Sequence, residues 1–186
     1  MSIVIAAALG ILTWSFMEYV IHRWAGHHKR LTGNVFGVEH IAHHSRGHYF
    51  APAWKKGLAA LAFAAVLVGP AILVAGATHG VAWVVGTVGF YLYYELLHRL
   101  EHVNGGFSPY GRWARKHHFY HHFHDPTTNH GVTSPIWDRV FGTYVAPDVI
   151  KVPEKLMLPW LLDTQGEVRT EYAADYEIRR RKKAAA

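Results

Sequence analysis

The 186-residue sequence contains no cysteine, although it contains 16 histidines. Without cysteine the chain cannot form a disulfide, a thiolate zinc site or a cysteine-bound iron–sulfur cluster. Histidine is the commonest metal-binding side chain, because a neutral imidazole can donate a lone pair. Any metal site in this chain must therefore be built from imidazole and oxygen ligands.

Lysine and arginine are absent from two long parts of the sequence, although the chain carries 19 of them and a formal net charge of +6. They occur only between Ile21 and Gly57 and after Leu97. Basic residues collect on the cytoplasmic side of membrane proteins. The pattern predicts that both basic parts face the cytoplasm and that the N-terminus and the turn at 76–80 lie outside.

Three apolar runs, at 2–21, 57–77 and 81–97, fill the parts that lack basic residues. Each has about the length needed to cross the hydrocarbon core of a bilayer as a helix. We predict an all-α integral membrane fold with about three spans, the second and third forming a hairpin, and a cytosolic helical cap. A soluble protein with buried helices is the alternative.

The C-terminal segment differs from the rest of the chain in being polar and basic. We divide the sequence into a membrane domain at 1–162 and a basic C-terminal tail at 163–186, which ends in Arg179-Arg180-Arg181-Lys182-Lys183 followed by three alanines. Basic segments of this kind lie on anionic lipid headgroups. No nucleic-acid-binding motif accompanies the charge, so we expect no nucleic acid as a partner.

Ten of the histidines fall into clusters whose spacing brings imidazoles together. The phrase His-x-x-His-His occurs twice, and residues three or four apart share one face of a helix. The candidate metal ligands are His22, His27, His40, His43, His44, His98, His102, His118, His121 and His122. Ten ligands are too many for one ion, so the sequence predicts a dinuclear centre.

The spacing of the first two ligands differs from the others. His22 and His27 are five residues apart, which puts them out of phase on a continuous α-helix, so we predict that the helix breaks at Gly26. Glu18 and Glu95 each lie one turn before a candidate ligand. We expect them in the second shell, accepting a hydrogen bond from a metal-binding imidazole.

Several polar and aromatic residues outside the histidine clusters are candidates for substrate contact, for the membrane interface or for ordinary structural roles. Asn129, Thr133 and Trp137 are candidate substrate contacts, although a structural role for their segment is equally favoured. Tyr91, Tyr93 and Tyr94 are expected at the membrane interface, where tyrosine is common. For the six other histidines we favour ordinary surface or core roles; they are His28, His48, His79, His117, His124 and His130.

Five elements of the sequence, taken in order, resemble the fatty acid hydroxylase and sterol desaturase superfamily. They are Glu18-Tyr19-Val20-Ile21-His22-Arg23-x-x-x-His27, His40-x-x-His43-His44, Tyr94-Glu95-x-x-His98-x-x-x-His102, His118-x-x-His121-His122 and the segment Gly131-Val132-Thr133-Ser134-Pro135-Ile136-Trp137-Asp138-Arg139-Val140-Phe141-Gly142-Thr143. The resemblance runs from about Glu18 to about Tyr144 and is closest to the fatty acid 2-hydroxylase branch.

This resemblance implies a membrane monooxygenase that hydroxylates an unactivated C–H bond of a fatty acyl or sterol-like lipid. In such enzymes these ten histidines bind two iron ions, which zinc can replace in isolated protein, and dioxygen is the co-substrate. No cytochrome b5-like segment is recognisable, so a separate cytochrome b5-like protein or a ferredoxin and its reductase should supply electrons. Relatives with four spans have a second hairpin; here the membrane part is smaller or is completed in a homo-oligomer.

Two other functions stay open at this point. Small carotenoid hydroxylases carry a similar histidine pattern at a similar length, although the phrase Gly-Val-Thr-Ser-Pro-Ile-Trp-Asp favours the fatty acid hydroxylases. A non-enzymatic membrane protein that binds or transports metal is the second alternative. A transport relay should place ligands through the bilayer, whereas only His79 lies on the predicted outer side.

Overall fold

A computed structural model describes residues 2–105 and 108–180. Its helices are α1 (Ile3–Val20), a π-helical turn (Ile21–Gly26), α2 (Val35–Arg46), α3 (Ala53–Val103), α4 (Pro109–Phe123) and α5 (Ile136–Val140). Two strands follow, β1 (Ile150–Pro153) and β2 (Tyr176–Arg179), separated by 3-10 turns at Glu154–Leu156, Pro159–Leu161 and Thr170–Tyr172. The predicted helical fold is confirmed, with a small parallel two-stranded sheet added to the cap.

The long helix α3 is a hairpin. At Gly76 the backbone has a φ of 76° and a ψ of 162°, which glycine adopts without steric cost. The two arms, 53–75 and 77–103, return alongside each other. Tyr91 on the second arm donates a hydrogen bond to the carbonyl of Lys56 on the first, at 3.1 Å. The predicted pair of antiparallel helices is therefore present.

The helices α1, extended by the π-helical turn, and α3 are long and apolar enough to cross a membrane. The most apolar window of α3 has a mean hydropathy of 2.5, and only 6% of it is buried inside the protein. Leu73 and Val74 are 88% and 89% exposed. A soluble protein would bury such a surface, so these helices fit a lipid environment and supply the three predicted spans.

Helix α1 packs closely against the hairpin. A Cβ atom at Gly86 would collide with the backbone of Ala7, so glycine permits this approach. Small residues at contacts between membrane helices have the same effect in other proteins. The contact holds the end of α1 beside the ends of both hairpin arms, where most of the histidines lie.

The cap has its own hydrophobic core. Its buried members are Phe119, Phe123, Ile150, Val152, Leu158, Leu161 and Tyr176. Strand β2 belongs to the segment predicted as a separate tail, yet it pairs with β1 from Ile150↔Tyr176 onward. Residues of the predicted tail thus contribute to the cap, while the boundary at 162 stays a prediction. Residues 181–186, with the last three basic side chains, lie outside the described residues.

Candidate metal centre

The ten histidines predicted as metal ligands come together in two groups of five. The first group contains His22, His27, His40, His44 and His121, and the second contains His43, His98, His102, His118 and His122. Within each group, one ring nitrogen from every residue lies within 4.8 Å of those of the others. Two groups of this size can each hold one metal ion.

Each His-x-x-His-His phrase is divided between the groups. On α2, His40 and His44 join the first group, whereas His43 joins the second. Helix α4 does the reverse, since its residues four apart join the second group and His121 joins the first. Neighbouring residues on a helix point about 100° apart, so adjacent histidines face different ions. Neither group can form without both helices.

The two groups adjoin each other. The rings of His44 and His122, one from each group, stack in parallel with centroids 3.9 Å apart. The ring centroids of His43 and His44, neighbours in sequence but in different groups, are 6.1 Å apart. The arrangement is therefore one centre with two adjacent positions rather than two separate sites.

A π-helical turn brings His22 and His27 into the same group. Hydrogen bonds in a π-helix join residues five apart, so side chains at this spacing come to a common side. The ring centroids are 5.3 Å apart. The helix ends at Gly26, as predicted, but the break follows the turn that aligns the two imidazoles. The sequence contained no signal for the π-helical winding.

Several ring nitrogens of the first group converge as metal ligands do. Nε2 of His27 lies 2.8 Å from Nε2 of His40 and 2.8 Å from Nε2 of His121. Ligand nitrogens that bind one metal at about 2.1 Å lie roughly 3 Å from each other. The buried Nε2 atoms of His22 and His44 have no hydrogen-bond partner among the described residues. Metal coordination would satisfy them.

The second group has the same features. Nε2 of His98 lies 3.0 Å from Nε2 of His43, and Nε2 of His102 lies 3.1 Å from Nε2 of His118. Both ring nitrogens of His122 are buried, and neither has a hydrogen-bond partner in the part of the chain that the structure describes. These residues fit a second imidazole-bound ion.

Burial keeps the imidazoles neutral. It lowers the pKa of His43 to about 4 and that of His27 to about 4, because the charged form loses its hydration. For His40, His118 and His121 burial lowers the pKa further below the usual value. At neutral pH these rings are uncharged, so their lone pairs are available to a metal.

One loop orients two imidazoles of the first group. Nδ1 of His22 donates to the carbonyl of His130 at 2.5 Å, and Nδ1 of His121 donates to the carbonyl of Thr128 at 2.7 Å. A ring that donates through Nδ1 presents an unprotonated Nε2 to the metal. Sequence reasoning missed both acceptors, because a main-chain carbonyl has no side-chain signature.

Asp138 fixes the position of this loop. Its carboxylate accepts hydrogen bonds from the backbone N–H groups of His130 and Gly131, both at 2.8 Å, from the Thr143 hydroxyl at 2.7 Å and from His117 at 3.3 Å. Burial alone would raise the pKa of Asp138, but these hydrogen bonds lower it below the usual value. The loop is therefore anchored on an ionised carboxylate.

The second group is oriented differently. Nδ1 of His43 donates to the carbonyl of Tyr49 at 2.7 Å. The buried Nδ1 atoms of His118 and His122 have no hydrogen-bond partner among the described residues. Helix packing holds these two rings in place of a dedicated loop.

The two glutamates predicted to assist the imidazoles have other partners. Glu18 accepts hydrogen bonds from the backbone N–H and the hydroxyl of Thr133, both at 2.8 Å. Glu95 forms an ion pair with Lys56. The expected contact of Glu18 with His22 is not formed, because the carbonyl of His130 accepts from Nδ1 of His22. A second-shell role for Glu95 stays a prediction. Glu18 acts on the centre through the loop.

Three residues predicted as substrate contacts are engaged in the fold. Asn129, at a φ of 52°, donates to the carbonyl of Val145 at 3.0 Å and accepts from its N–H at 2.8 Å. Thr133 is bound as described above, and Trp137 donates its indole N–H to Ser15 at 3.2 Å. These contacts give the three residues a structural role, and their contact with substrate stays a prediction.

An apolar cavity of about 300 Å³ adjoins both histidine groups. His40 of the first group and His43 and His98 of the second lie in its wall. The aromatic part of the wall consists of Phe36, Phe50, Tyr91 and Tyr94. None of the residues predicted as substrate contacts lines this cavity.

Two of the three tyrosines expected at the membrane interface form part of this wall instead. Tyr91 and Tyr94 are only 6% and 8% exposed, and Tyr94 stacks against His98 with ring centroids 5.7 Å apart. For these two the expectation was wrong, because α1 and the loop at 130–134 cover the face on which they lie. Tyr93, the third tyrosine expected there, is 41% exposed. Periodicity in one helix does not reveal what covers it.

Two ion pairs supply the charged part of the lining. Lys55 pairs with Glu39 at 2.5 Å, and Lys56 pairs with Glu95. Lys55, Lys56 and both glutamates line the cavity. Because each lysine is matched by a carboxylate, the polar edge of the cavity carries donors and acceptors without a net charge.

Comparison with known proteins gives a family and several relatives. A family model described as fatty acid hydroxylase matches residues 7–143. The ceramide very long chain fatty acid hydroxylase scs7 of Schizosaccharomyces pombe is 34% identical over 73% of this chain and 41% of its own length. The dihydroceramide fatty acyl 2-hydroxylase FAH2 of Arabidopsis thaliana is 29% identical over 73% of this chain and 59% of its own.

A solved structure of full-length scs7p, in which only the hydroxylase domain is visible, has a similar fold. The TM-score is 0.59 at 25% sequence identity, and the match covers 80% of this chain and 60% of that one. The chain spans between 41% and 59% of the length of the two curated relatives described above. The structural match is to the visible hydroxylase domain of scs7p.

Proposed function

Because the chain belongs to the fatty acid hydroxylase family, we propose that it is a membrane-bound, oxygen-dependent hydroxylase that acts on a fatty acyl lipid. The observation that carries this proposal is the cavity of about 300 Å³ whose wall includes imidazoles of both histidine groups. A lipid chain in this cavity would lie next to both metal positions.

We assign two iron ions to the ten histidines in the working enzyme. When bound, they supply the activation of dioxygen and the oxidation of the C–H bond. Imidazole ligands suit iron and zinc alike, but zinc has no redox chemistry. Zinc in isolated protein would therefore leave the ligands in place without activity.

The chain itself contributes binding, orientation and exclusion of water. Phe36, Phe50 and Tyr94 give the cavity an apolar wall that admits an acyl chain and keeps water away from the imidazoles. The ion pairs Lys55–Glu39 and Lys56–Glu95 offer hydrogen-bond donors and acceptors to the polar head of the lipid. A lipid held this way presents the part of its chain near the head to the centre.

The distribution of charge supports an orientation in the membrane. The described end of the molecule that carries the histidine groups also carries its lysines and arginines, and the opposite end, around Gly76, carries none. We propose that the centre faces the cytoplasm and the N-terminus lies outside. A separate cytosolic donor, cytochrome b5-like or a ferredoxin with its reductase, would then deliver electrons.

The proposal can be tested on purified protein loaded anaerobically with iron. A chemical reductant and isotopically labelled dioxygen are added with acyl amides, free fatty acids or carotene, and products are analysed by mass spectrometry. We expect one labelled oxygen atom in the acyl chain. Absence of label from every acyl lipid, in protein with two bound irons, would contradict the proposal. Label in carotene alone would favour a carotenoid hydroxylase.

A further inference from the structure

A second apolar cavity, of about 380 Å³, lies further along the hairpin from the histidine groups. Its wall includes Ala6 and Leu9 of α1, Leu67 and Ala71 of the first hairpin arm and Trp83 of the second. Residues of both hairpin arms line both cavities, whereas α2 completes the wall of the first and α1 that of the second. The second cavity lies nearer to the turn at Gly76, so the two cavities follow one another along the hairpin.

The two cavities follow one stripe of the first hairpin arm. Ala59 lines the first cavity, and Leu67 and Ala71 line the second. These residues are separated by multiples of four positions, and helical side chains four apart lie on one face. Phe63 is the position between Ala59 and Leu67 on this stripe. The barrier between the cavities therefore lies at the level of Phe63.

Trp14 and Phe63 form that barrier. Their rings meet edge to face with centroids 5.7 Å apart. Trp14 also packs against Tyr91 at 4.7 Å and Tyr94 at 5.9 Å, and both tyrosines belong to the wall of the first cavity. Residues one to two turns before Trp14 on α1 line the second cavity. The Trp14–Phe63 pair thus lies between residues that line the first cavity and residues that line the second.

Ring packing alone holds Trp14 in place. Its side chain is buried, with 4% exposure, but its indole N–H has no hydrogen-bond partner among the described residues. The indole N–H groups of Trp83, Trp137 and Trp160 each donate a hydrogen bond. Buried tryptophans usually find such a partner. Trp14 therefore contributes to this contact through the size and shape of its ring and not through its indole N–H.

We propose that the Trp14–Phe63 pair sets the length of the acyl chain that the enzyme accepts. This inference rests on the proposed function, because the chain is taken to enter the first cavity beside the imidazoles. A chain that passes the imidazoles meets the two rings and must end there or leave sideways into the bilayer. Without the rings, the same chain continues into the second cavity.

Substitutions that remove either ring should shift the chain-length preference towards longer acyl chains. Phe63→Ala and Trp14→Leu should each raise the ratio of kcat/KM for long acyl chains over short ones by about ten-fold, the lower end of what added methylene contacts contribute in apolar pockets. Ala59→Phe, which fills the first cavity, should change the same ratio in the opposite direction. Phe16→Leu is the matched control, because this α1 ring packs on Trp137 at 4.8 Å, away from both cavities.

A double variant separates chain-length control from general loosening of the fold. Ala71→Leu fills the second cavity and should leave the wild-type preference unchanged, because the acyl chain already meets the two rings before it. Combined with Trp14→Leu, it should restore the wild-type preference. A defect in folding or helix packing at Trp14 would not be reversed by a second substitution on a different helix, in the wall of the second cavity.

Lipid binding provides a readout that does not depend on catalysis. Metal-free variants are equilibrated in detergent with an equimolar mixture of acyl amides of graded chain length, and bound lipids are identified by native mass spectrometry. We expect the bound population to shift to longer chains in Phe63→Ala and Trp14→Leu. If Trp14→Leu does not fold, Phe63→Ala, with its smaller and half-buried side chain, decides the question.

The outcomes distinguish this proposal from the proposed function. Binding that shifts without any oxidation in the iron-loaded protein would support the role of the rings and contradict the hydroxylase assignment. Oxidation of acyl lipids with an unchanged chain-length profile in folded Phe63→Ala and Trp14→Leu would support the hydroxylase assignment and contradict the role of the rings. A shift that Ala71→Leu fails to reverse would also overturn the proposal.

Discussion

The two histidine groups use the same kind of ligand, the imidazole ring, but their rings are held in different ways. In the first group, His22 and His121 donate to carbonyls of one loop, which Asp138 and Glu18 fix in turn. In the second group, Nδ1 of His118 has no hydrogen-bond partner among the described residues. The first group is therefore oriented by a distant loop, and the second mainly by the packing of its helices.

The groups also differ in how they face the substrate cavity. The second group places His43 and His98 in the cavity wall, whereas the first places only His40 there. The more firmly oriented group is thus the one with less access to the cavity. A metal at the first position should depend on contacts far along the chain, and a metal at the second should depend on α2, α3 and α4.

The largest expected effect comes from removing a ligand from either group. His43→Ala and His121→Ala should each lower metal content by about one ion per chain and reduce activity more than the 10- to 100-fold typical of second-shell changes. Metal analysis of purified protein, together with turnover, measures both effects.

Two exposed histidines serve as controls for these variants. His48 donates a hydrogen bond from Nε2 to the carbonyl of Met157 at 3.1 Å, and His124 accepts one from the N–H of Lys151 at 2.8 Å. Both residues are exposed on the surface of the cap. Their alanine variants should retain both metal ions. Equal metal loss in all four variants would show that the two groups are not the binding positions.

The next effect should separate the groups. Asp138→Asn keeps the shape of the side chain but removes the charge that anchors the loop, so metal affinity at the first group should fall by about 10- to 100-fold while the second is retained. A titration of metal-free protein with metal should then show two binding phases, one for each group, where the wild-type protein shows one. Asp125→Asn, which alters an exposed contact with Thr127 nearby, is the control. Equal weakening of both positions would contradict the comparison.

Acidification should act on both groups alike. His27 and His43, one from each group, have a pKa lowered from 6.5 to about 4, so the unfolded chain binds more protons than the folded one between these values. Stability is therefore present above pH 6.5 and falls as the pH drops towards 4, by up to about 1.4 kcal/mol per pH unit for each such histidine. Thermal unfolding of metal-free protein across this range measures the loss; a flat profile would contradict it.

The smallest effect is expected at the edge of the cavity. Glu95→Gln breaks the ion pair with Lys56, whose side chains are 23% and 19% exposed, and an ion pair open to solvent contributes about 0 to 1 kcal/mol to stability. We expect both metal ions to be retained, because the recorded partner of Glu95 is Lys56, and KM for the lipid to rise. Loss of metal in this variant would return Glu95 to the role first expected from its spacing.

Local spacing made the ligands and the helices predictable. The second arm of α3 presents His98 and His102 on one face because they are four residues apart, and this holds wherever the helix packs. The three apolar runs became helices for a similar reason, since in lipid only intrahelical hydrogen bonds satisfy the backbone of an isolated segment. These features needed no knowledge of other parts of the chain.

Contacts between distant residues were not predictable in this way. The hydrogen bond from His22 to the carbonyl of His130 joins residues 108 positions apart, and the one from Thr133 to the carboxylate of Glu18 joins residues 115 apart. Glu18 was assigned to an imidazole because the sequence shows its neighbours on one helix and not the loop that packs on that helix.

The amino-acid sequence by itself determined which side chains share a helix face, and thereby the ten imidazoles, the apolar spans and the hairpin. Only the tertiary structure decided how those imidazoles divide between two metal positions, which carbonyls orient them and where the cavity opens. The physical reason is that helical periodicity is a local property of the backbone. The division of adjacent histidines such as His43 and His44 depends on which surfaces the packed helices bring to either side.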